Sequence, residues 1–352
     1  MTMKISPFHF LTMECPEGWT EQDLFDYEVK CVEFAEELGF DGVWLGEHHF
    51  RPNVCPSILN LASFLAARTN RIRIGLGILV LPFYDPLRLA EDVAVVDLLS
   101  RGRLDVGLGR GYNNMEFDAF SIPMEESRER FFEVLDILQQ AWTKESVNHD
   151  GEYYQINGVK VVPKPSQQPH PPLWIGATSV ESVKIAGARG IPFMCDPVQT
   201  FNQAADLARL WKSSAEEAGH DTDGLELAAL RPMWVAETPL EALQDRPVWV
   251  PPPLPEPSQT SGSQLVQDPS RGFEPGSTAA EAIGKSPEEI LGDYSYIVGD
   301  PPAVVRKLQA YRDIGYSHII GILNSDLRMP LEKVRRGMEL FSREVLPHVQ
   351  GT

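Results

Sequence analysis

The stretch RIRIGLGILVLPFYDPLRLAEDVAVVDLLSRGRLDVGLGRGY, residues Arg71–Tyr112, carries two apolar runs on either side of a helical pattern. The run Ile72–Leu81 is continuous in its apolar character, which is typical of a strand covered on both faces. Leu87–Leu99 has the apolar spacing of a helix, and Leu104–Leu108 forms the next short run. Buried strands that alternate with a helix predict an α/β fold with a parallel sheet.

The same alternation continues in both directions along the chain. Further strands are predicted at Ile5–Phe10, Gly42–Leu45, Leu173–Ile175, Pro192–Cys195, Leu227–Val235 and His318–Ile322. Further helices are predicted at Glu21–Leu38, Ile58–Ala67, Glu126–Trp142, Val180–Ala188, Phe201–Ala218, Pro302–Ile314 and Leu331–Val345. Together they make eight strand–helix units, the count of a (β/α)8 TIM barrel, and we predict one such domain over residues 1–352.

Two insertions interrupt the alternation. Asn157 and Gly158, between the apolar runs Tyr153–Ile156 and Val159–Val162, predict a β-hairpin after the fourth unit. The second insertion spans residues 238–285, follows the seventh strand, and is rich in Pro, Ser, Gly and Gln, which predicts a loop. Because it follows a barrel strand, we predict that residues 244–280 form a lid over the barrel mouth.

The composition excludes several classes of function. Lys and Arg total 31 against 50 Asp and Glu, a formal net charge of −19, so neither nucleic acid nor a membrane surface is an expected partner. The four cysteines form no CxxC pair and no metal-ligand spacing, which predicts a reducing compartment and no metal. The first residues carry no signal-peptide pattern, and we expect a cytoplasmic protein.

Three segments carry candidate chemistry. GFDGVWLGEHHF places His48 and His49 at the carboxyl end of the second strand, the active face of a barrel. Neighbouring strand residues point in opposite directions, so only one of the two can line a pocket. Position alone leaves open whether that one is catalytic or whether both are structural.

In the second segment, DVGLGRGYNNMEF, Arg110 stands between two glycines, where a guanidinium can bind a phosphate or simply face solvent. The GxGxG spacing and the two asparagines that follow, which indicate no clear helix, exclude a dinucleotide-binding fingerprint. In the third segment, Thr178 and Ser179 precede a helix. Hydroxyl groups at that place cap the helix, and the same helix start can bind an anion.

Together these segments resemble the bacterial luciferase-like flavin monooxygenases. The resemblance rests on GFDGVWLGEHHF, on Arg71–Tyr112, on EFDAFSIPMEESRERF (Glu116–Phe131) and on the closing YSYIVGDPP and ELFSREVLP, and it covers nearly the whole chain except residues 240–290. It implies a TIM barrel that binds FMN, reduced to FMNH2 by a separate flavin reductase, and that uses O2. It also implies a homodimer, through Ile58–Ala67 and Leu87–Leu99.

The resemblance assigns site residues as well. It implies that His48 is the catalytic histidine and that Glu116 is a second catalytic residue near the isoalloxazine ring. A non-prolyl cis peptide under that ring is implied at Gly77–Ile78. The implied contacts to the FMN phosphate are Arg110, Arg128, Thr178, Ser179 and Ser182.

The implied reaction is oxygenation of an organic small molecule by a flavin C4a-hydroperoxide. Two alternatives stay open: hydride transfer with the deazaflavin F420, and a flavin-binding protein without catalysis. The F420 tail is longer and more anionic than that of FMN, and no additional basic cluster adjoins Arg110, which favours FMN. Luciferases of the family carry a reactive cysteine where this chain has Gly109 and a tryptophan where it has Pro197, so we expect no light emission.

Overall fold

The computed structural model describes residues 2–9, 17–50, 55–177, 179–245, 287–323 and 329–350. The strands are β1 (Lys4–His9), β2 (Gly42–Leu45), β3 (Arg73–Val80), β4 (Leu104–Gly109), β5 (Val147–Asp150), β6 (Gln155–Val159), β7 (Leu173–Ala177), β8 (Phe193–Cys195), β9 (Ala228–Val235), β10 (Ile297–Gly299) and β11 (His318–Ile322). The helices are α1 (Glu21–Glu37), α2 (Ile58–Arg68), α3 (Pro86–Leu99), α4 (Asn114–Phe120), α5 (Ser127–Thr143), α6 (Val180–Ala188), α7 (Phe201–Glu217), α8 (Pro239–Asp245), α9 (Pro287–Gly292), α10 (Pro301–Asp313), α11 (Leu331–Glu344) and α12 (Leu346–Val349). Two short 3-10 turns lie at Leu81–Phe83 and Met124–Glu126.

The predicted fold is confirmed. The strand order is β9–β11–β1–β2–β3–β4–β7–β8, and β8 also pairs with β9, so eight strands close into a TIM barrel. The strand β10 adds to β9 in parallel, with Ile297 opposite Met233. The hairpin of β5 and β6 forms a separate two-stranded sheet.

The chain divides into two compact units, one of residues 1–44 and 175–352 and one of residues 45–174. In the first unit, Thr20 and Thr200 begin α1 and α7 with capping boxes. In the second unit, Asp85 accepts a hydrogen bond from the N–H of Arg88 at the start of α3, where Pro86 occupies the first turn. These caps satisfy backbone donors that a helix start leaves without partners.

The position of the hairpin turn was predicted incorrectly. Asn157 and Gly158 lie inside β6, where Gly158 has a φ of +67° next to a register shift against Asn148. The left-handed conformation that glycine permits therefore serves a bulge, and the turn lies at residues 151–154. The carboxylate of Glu133 on α5 accepts hydrogen bonds from three N–H groups of that turn, which holds it in place.

The prediction that no helix follows the two asparagines was also wrong. Asn113 is the N-cap of α4, and its side chain accepts a hydrogen bond from the N–H of Met115. The helix α8, at the start of the second insertion, was not predicted. The proposed lid, residues 244–280, lies outside the described residues from residue 246 onwards.

Candidate active site

The central feature of the unit formed by residues 45–174 is a chain of hydrogen bonds through His48. This histidine follows β2, and its Nδ1 lies 3.0 Å from Oε1 of Glu116. On the other side of the ring, Nε2 lies 3.2 Å from the hydroxyl oxygen of Tyr112. The Tyr112 side chain is exposed, whereas the His48 side chain is only 17% exposed, so one edge of the imidazole reaches toward solvent through a single hydroxyl group.

Glu116 fixes the orientation of His48. Its side chain is buried, and the same oxygen that meets His48 accepts a hydrogen bond from the backbone N–H of His49 at 3.0 Å. Burial by itself raises the pKa of Glu116, but the hydrogen bonds and the charge of the two histidines outweigh it and lower the pKa below its ordinary value. Glu116 is therefore an anionic acceptor at neutral pH, which places the proton of a neutral His48 on Nδ1 and leaves Nε2 as an acceptor.

The local backbone explains how Glu116 reaches this place. Gly111 has a φ of +78°, and a Cβ there would lie 2.8 Å from Val80 and 3.0 Å from Phe117, so glycine is required on both counts. The chain turns at Gly111, Asn113 then caps α4, and Glu116 lies in the first turn of that helix. A carboxylate at that place also has the favourable sign for the helix dipole.

His49 points in another direction, as the alternation of side chains predicts. Its Nε2 lies 2.8 Å from Oε1 of Glu47, whose side chain is fully buried. The ring packs edge-on against Phe83 and Phe120. The second oxygen of Glu47 faces the backbone N–H of Val80 at 3.4 Å, which ties the pair to β3.

The two arginines predicted to bind phosphate lie in the same region. Arg110 directly follows β4, and its Nη1 donates a hydrogen bond to Oγ of Ser127 at 3.3 Å. Ser127 is buried and is the first residue of α5, and Arg128 is the next residue in that first turn. The contact therefore brings the guanidinium of Arg110 to the helix start that carries Arg128.

The peptide bond between Gly77 and Ile78 is cis, as the family resemblance implies. Both residues are partly exposed in a strand that is otherwise mostly buried, and the register of β3 against β4 shifts between Leu76 and Leu79. The Ile78 side chain covers Gly109 on β4: a Cβ at position 109 would come within 1.8 Å of Cδ1 of Ile78.

The hydroxyl residues at the start of α6 belong to the other unit. Ser179 is the N-cap, and its Oγ accepts a hydrogen bond from the N–H of Ser182 at 3.2 Å and lies 2.9 Å from the Ser182 hydroxyl. The capping role expected of Ser179 is therefore present. Thr178 lies outside the described residues.

Sequence reasoning missed Tyr112 and gave no role to Glu47. Tyr112 was quoted only as the end of a glycine-rich segment, and its contact with His48 joins positions 64 residues apart. The sequence did contain a signal for the contact between Glu47 and His49: residues two apart at a strand end lie on the same side of the chain. Within the described residues, no group of three or more His, Cys, Asp or Glu side chains is placed to hold a metal ion.

His48 lies at the carboxyl end of a barrel strand, the face where α/β-barrel enzymes carry their active sites, and the comparison with known proteins identifies the family. The family of luciferase-like monooxygenases matches residues 6–318. The chain therefore belongs to the luciferase-like monooxygenase family, and it is an oxidoreductase.

Individual relatives differ in their cofactors. The oxygenase component of the flavin-dependent trigonelline monooxygenase of Acinetobacter baylyi is 27% identical over 93% of this chain and 91% of its own length. The F420-dependent glucose-6-phosphate dehydrogenase of Kineococcus radiotolerans is 26% identical over 94% of both chains. Among solved structures, a monooxygenase from Streptomyces bottropensis superposes with a TM-score of 0.80 at 27% identity, covering 98% of this chain and 99% of that one.

In the described part of the chain, none of the helices has both the length and the apolar character needed to cross a lipid bilayer.

Proposed function

We propose that this chain is the oxygenase component of a two-component flavin-dependent monooxygenase. It binds reduced FMN supplied by a separate reductase and uses O2 to oxygenate an organic small molecule. The observation that carries this proposal is the hydrogen-bonded chain from Glu116 through His48 to Tyr112. When bound, reduced flavin supplies the electrons that activate O2.

In this proposal, His48 is the acid–base residue of the reaction. The Glu116 carboxylate holds the proton on Nδ1, so that Nε2 can accept a proton or a hydrogen bond from a reacting group at neutral pH. The hydroxyl group of Tyr112, whose side chain is exposed, contacts Nε2, and in this proposal a reacting group takes its place there. In this proposal His48 is the base and Glu116 its positioning partner, whereas the family resemblance implies a catalytic role for both.

The residues of the unit formed by residues 45–174 fit FMN. Arg110 donates a hydrogen bond to Ser127 at the start of α5, and Arg128 is the next residue of that first turn; two arginines and the helix dipole at this place suit a phosphate. Gly77 and Ile78 are partly exposed on β3, and an apolar side chain next to a glycine suits a flat ring. Thr178, Ser179 and Ser182 remain proposed contacts to the phosphate.

The second candidate is hydride transfer with F420, because relatives of that kind match the chain over nearly its full length. The surroundings of Arg128 argue against it. Glu125, Glu126 and Glu129 lie within three residues of Arg128, and Glu125 and Glu129 are exposed. Arg110, Arg128 and Arg130, the last of which pairs with Glu126, only balance these three carboxylates, which leaves no additional positive charge for a long anionic tail.

A titration followed by mixing with O2 tests the proposal. We expect the chain to bind reduced FMN more tightly than F420, and bound reduced FMN to react with O2 on a different time course from the free cofactor, followed by absorbance in a stopped-flow instrument. Tighter binding of F420, together with O2 reactivity that matches free reduced FMN, would instead favour hydride transfer. Binding of FMN with no change in its O2 reactivity would favour a flavin carrier.

We also propose a homodimer through α2 and α3. Both helices carry exposed apolar side chains: Phe64, Val95, Leu98 and Leu99. The alanines that the sequence suggested for a close helix approach, Ala62, Ala66, Ala90 and Ala94, are instead buried inside the chain, so the exposed side chains carry this proposal. A monomeric mass in light scattering at micromolar concentration would contradict this proposal.

A further inference from the structure

The Tyr112 side chain shows which kind of chemical group Nε2 of His48 can receive. Its hydroxyl oxygen lies 3.2 Å from Nε2, and the two rings meet edge-on with their centroids 5.7 Å apart. The Tyr112 side chain is exposed, whereas Glu116 on the other edge of the imidazole is buried, so the phenol lies on the solvent side of the ring. The proposed base is thus already hydrogen-bonded to an aromatic hydroxyl group.

Glu116 decides which partner Nε2 can take. Burial raises the pKa of Glu116, but the hydrogen bonds and the charge of His48 and His49 lower it below its ordinary value, so the carboxylate is ionised at neutral pH. An ionised carboxylate only accepts, and its contact with Nδ1 therefore places a proton there. When His48 acts as a base, Nε2 is the acceptor, so the group that it meets carries an O–H or N–H donor.

Exposed apolar side chains are concentrated at the same place. Phe50, two residues after His48, is 61% exposed, and Met115, the residue before Glu116, is 45% exposed. Phe50 also packs against Phe120 with the ring centroids 5.2 Å apart, so the aromatic surface continues onto α4. Exposed apolar side chains beside a few polar groups are typical of a site for a largely apolar ligand.

The charges at this place disfavour an anionic ligand. The side chain of Glu116 is only 2% exposed and lies directly behind His48. A carboxylate or phosphate at Nε2 would face this negative charge and would meet an acceptor where it needs a donor. The cations of the region, Arg110 and Arg128, are assigned to the FMN phosphate in the proposed function. A neutral hydroxyl group on an aromatic ring fits all of these conditions.

We propose that the substrate of this site is a neutral hydroxyarene, a molecule with an O–H group on an aromatic ring, which takes the place of Tyr112 at Nε2 of His48. This inference rests on the proposed function and names its substrate class. It also gives the base a defined task. As a ring carbon next to the hydroxyl group forms its bond to oxygen, the O–H proton becomes acidic and Nε2 accepts it.

The reaction balances with the co-substrates already proposed. A phenol, O2 and reduced FMN give a catechol, water and oxidised FMN. One oxygen atom of O2 converts a ring C–H into C–OH, the O–O bond breaks, and the other oxygen leaves as water with the two hydrogens that reduced FMN supplies. Nε2 returns its proton to the first hydroxyl oxygen after the ring carbon has lost its hydrogen, so His48 ends the reaction unchanged.

Three probes of similar size test the binding, with oxidised FMN and again without it. p-Cresol has the structure of the tyrosine side chain, 4-methylanisole has the same ring without an O–H donor, and 4-methylbenzoate is an anion. On the full chain, p-cresol should bind more tightly than the other two. On the chain labelled with ¹⁵N in its histidines, p-cresol should shift the Nε2 resonance of His48, assigned by its loss in His48→Gln, and 4-methylanisole should not.

Tyr112→Phe provides a sharper comparison, because it removes the hydroxyl group with which the ligand competes. In this variant p-cresol should bind about fivefold more tightly than in the wild type, the effect of one hydrogen bond, while the affinity for 4-methylanisole should stay the same. Tyr294→Phe is the matched control: this tyrosine is 37% exposed against 36% for Tyr112 and packs on Phe201, and its change should alter neither affinity.

Two results would overturn the assignment at the level of binding: equal affinities for p-cresol and 4-methylanisole in the wild type, or p-cresol affinity that does not rise in a folded Tyr112→Phe. Absence of p-cresol binding up to its solubility limit, with and without FMN, would overturn it as well. A structural role of Tyr112 alone predicts no gain of affinity when its hydroxyl group is removed.

The reaction itself is tested with reduced FMN and ¹⁸O2. Wild-type chain should convert p-cresol to 4-methylcatechol with ¹⁸O in one hydroxyl group. If the chain changes the O2 reactivity of reduced FMN but forms no catechol from p-cresol, the substrate class is wrong and the proposed function stands. If the O2 reactivity matches that of free reduced FMN while p-cresol binds as expected, the proposed function fails and the binding assignment of His48 stands.

Discussion

His48 and His49 are neighbours in the chain and each contacts a buried carboxylate, yet their surroundings differ. Around His48, the hydroxyl group of Tyr112 is the one hydrogen-bond partner of the second ring nitrogen among the residues that the structure describes, and the Tyr112 side chain is exposed. Around His49, the ring lies between aromatic side chains and its Nε2 is held by Glu47. The same pair of residue types thus occurs once with Nε2 turned to an exposed side chain and once with Nε2 bound by the carboxylate.

The difference lies in which nitrogen the carboxylate occupies. Glu116 binds Nδ1 of His48 and leaves the outer nitrogen for a reacting group, whereas Glu47 binds Nε2 of His49. An acid–base residue must present a nitrogen within hydrogen-bond reach of the substrate. A carboxylate–histidine pair is therefore no evidence of catalysis until the remaining nitrogen is located.

The largest effect on turnover is expected from His48→Ala. Product formation, with a substrate that the wild-type chain oxygenates, should fall by about 10²–10⁴-fold, the range for a positioned acid or base. FMN affinity should stay near wild type, because His48 contacts neither Arg110 nor Arg128 among the described contacts. The melting temperature should fall modestly, because the buried Glu116 carboxylate loses its hydrogen bond to His48 and keeps the one from the backbone N–H of His49. Reduced flavin should still be consumed, with release of hydrogen peroxide. A variant that keeps wild-type turnover would remove His48 from the mechanism.

His49→Ala should act on stability instead. Removing the partner of the fully buried Glu47 carboxylate leaves an uncompensated buried charge, and the free energy of unfolding should fall by about 3–5 kcal/mol. Urea unfolding measures this loss, and turnover per folded molecule should stay within a few-fold of wild type. If His49→Ala is stable and inactive while His48→Ala is active, the roles of the two histidines are reversed.

Glu116→Gln should lower the free energy of unfolding by about 1.5–3 kcal/mol at pH 7, because the carboxylate accepts hydrogen bonds from both His48 and His49. The folded pKa of Glu116 lies below its ordinary value of 4.5, so its stabilisation is complete above pH 4.5 and is lost as the pH falls through the folded pKa. The stability difference between wild type and Glu116→Gln should therefore shrink on acidification. A difference that stays constant from pH 7 to pH 3 would contradict the low pKa.

The smallest effect is expected from Arg110→Ala, which tests whether the flavin is anchored beside His48. FMN affinity should weaken about tenfold, while riboflavin, which lacks the phosphate, should bind as before. Arg130→Ala is the matched control: this arginine lies on α5, two residues after Arg128, but is paired with Glu126 and stacked on Tyr153, and its loss should change neither affinity. Equal weakening of both ligands in Arg110→Ala would refute the phosphate assignment.

Most of the barrel could be predicted because its signals are local. The bounds of β2, α6 and β11 coincide with the apolar runs that predict them. The hairpin turn could not be placed, because Asn157 and Gly158 suit a turn and a bulge equally well, and the carboxylate of Glu133 on another element selects between them. Local propensity describes what a segment permits, and tertiary contacts decide which option is used.

The candidate site likewise contains residues that the sequence could predict and one that it could not. Position at a strand end pointed to the pair His48 and His49 without choosing between them. The resemblance selected His48 and supplied Glu116, 68 residues further along the chain. Tyr112 was missed because a tyrosine after a glycine-rich segment has no distinguishing pattern, and only the turn at Gly111 brings it to Nε2. Contacts that depend on one backbone turn leave no periodic signal in a sequence.

The side chain of Ile78 fills the space that a side chain at position 109 would need, which limits the substitutions possible at position 109. A Cβ at position 109 would lie 1.8 Å from Cδ1 of Ile78 but 3.8 Å from its Cβ, so only the outer part of the isoleucine is in conflict. Gly109→Cys, which would restore the residue that luciferases carry there, is thus blocked while Ile78 keeps its present rotamer. A change of the Ile78 rotamer or Ile78→Ala opens the space, so a thiol at position 109 requires that the side chain over the cis peptide moves or becomes shorter.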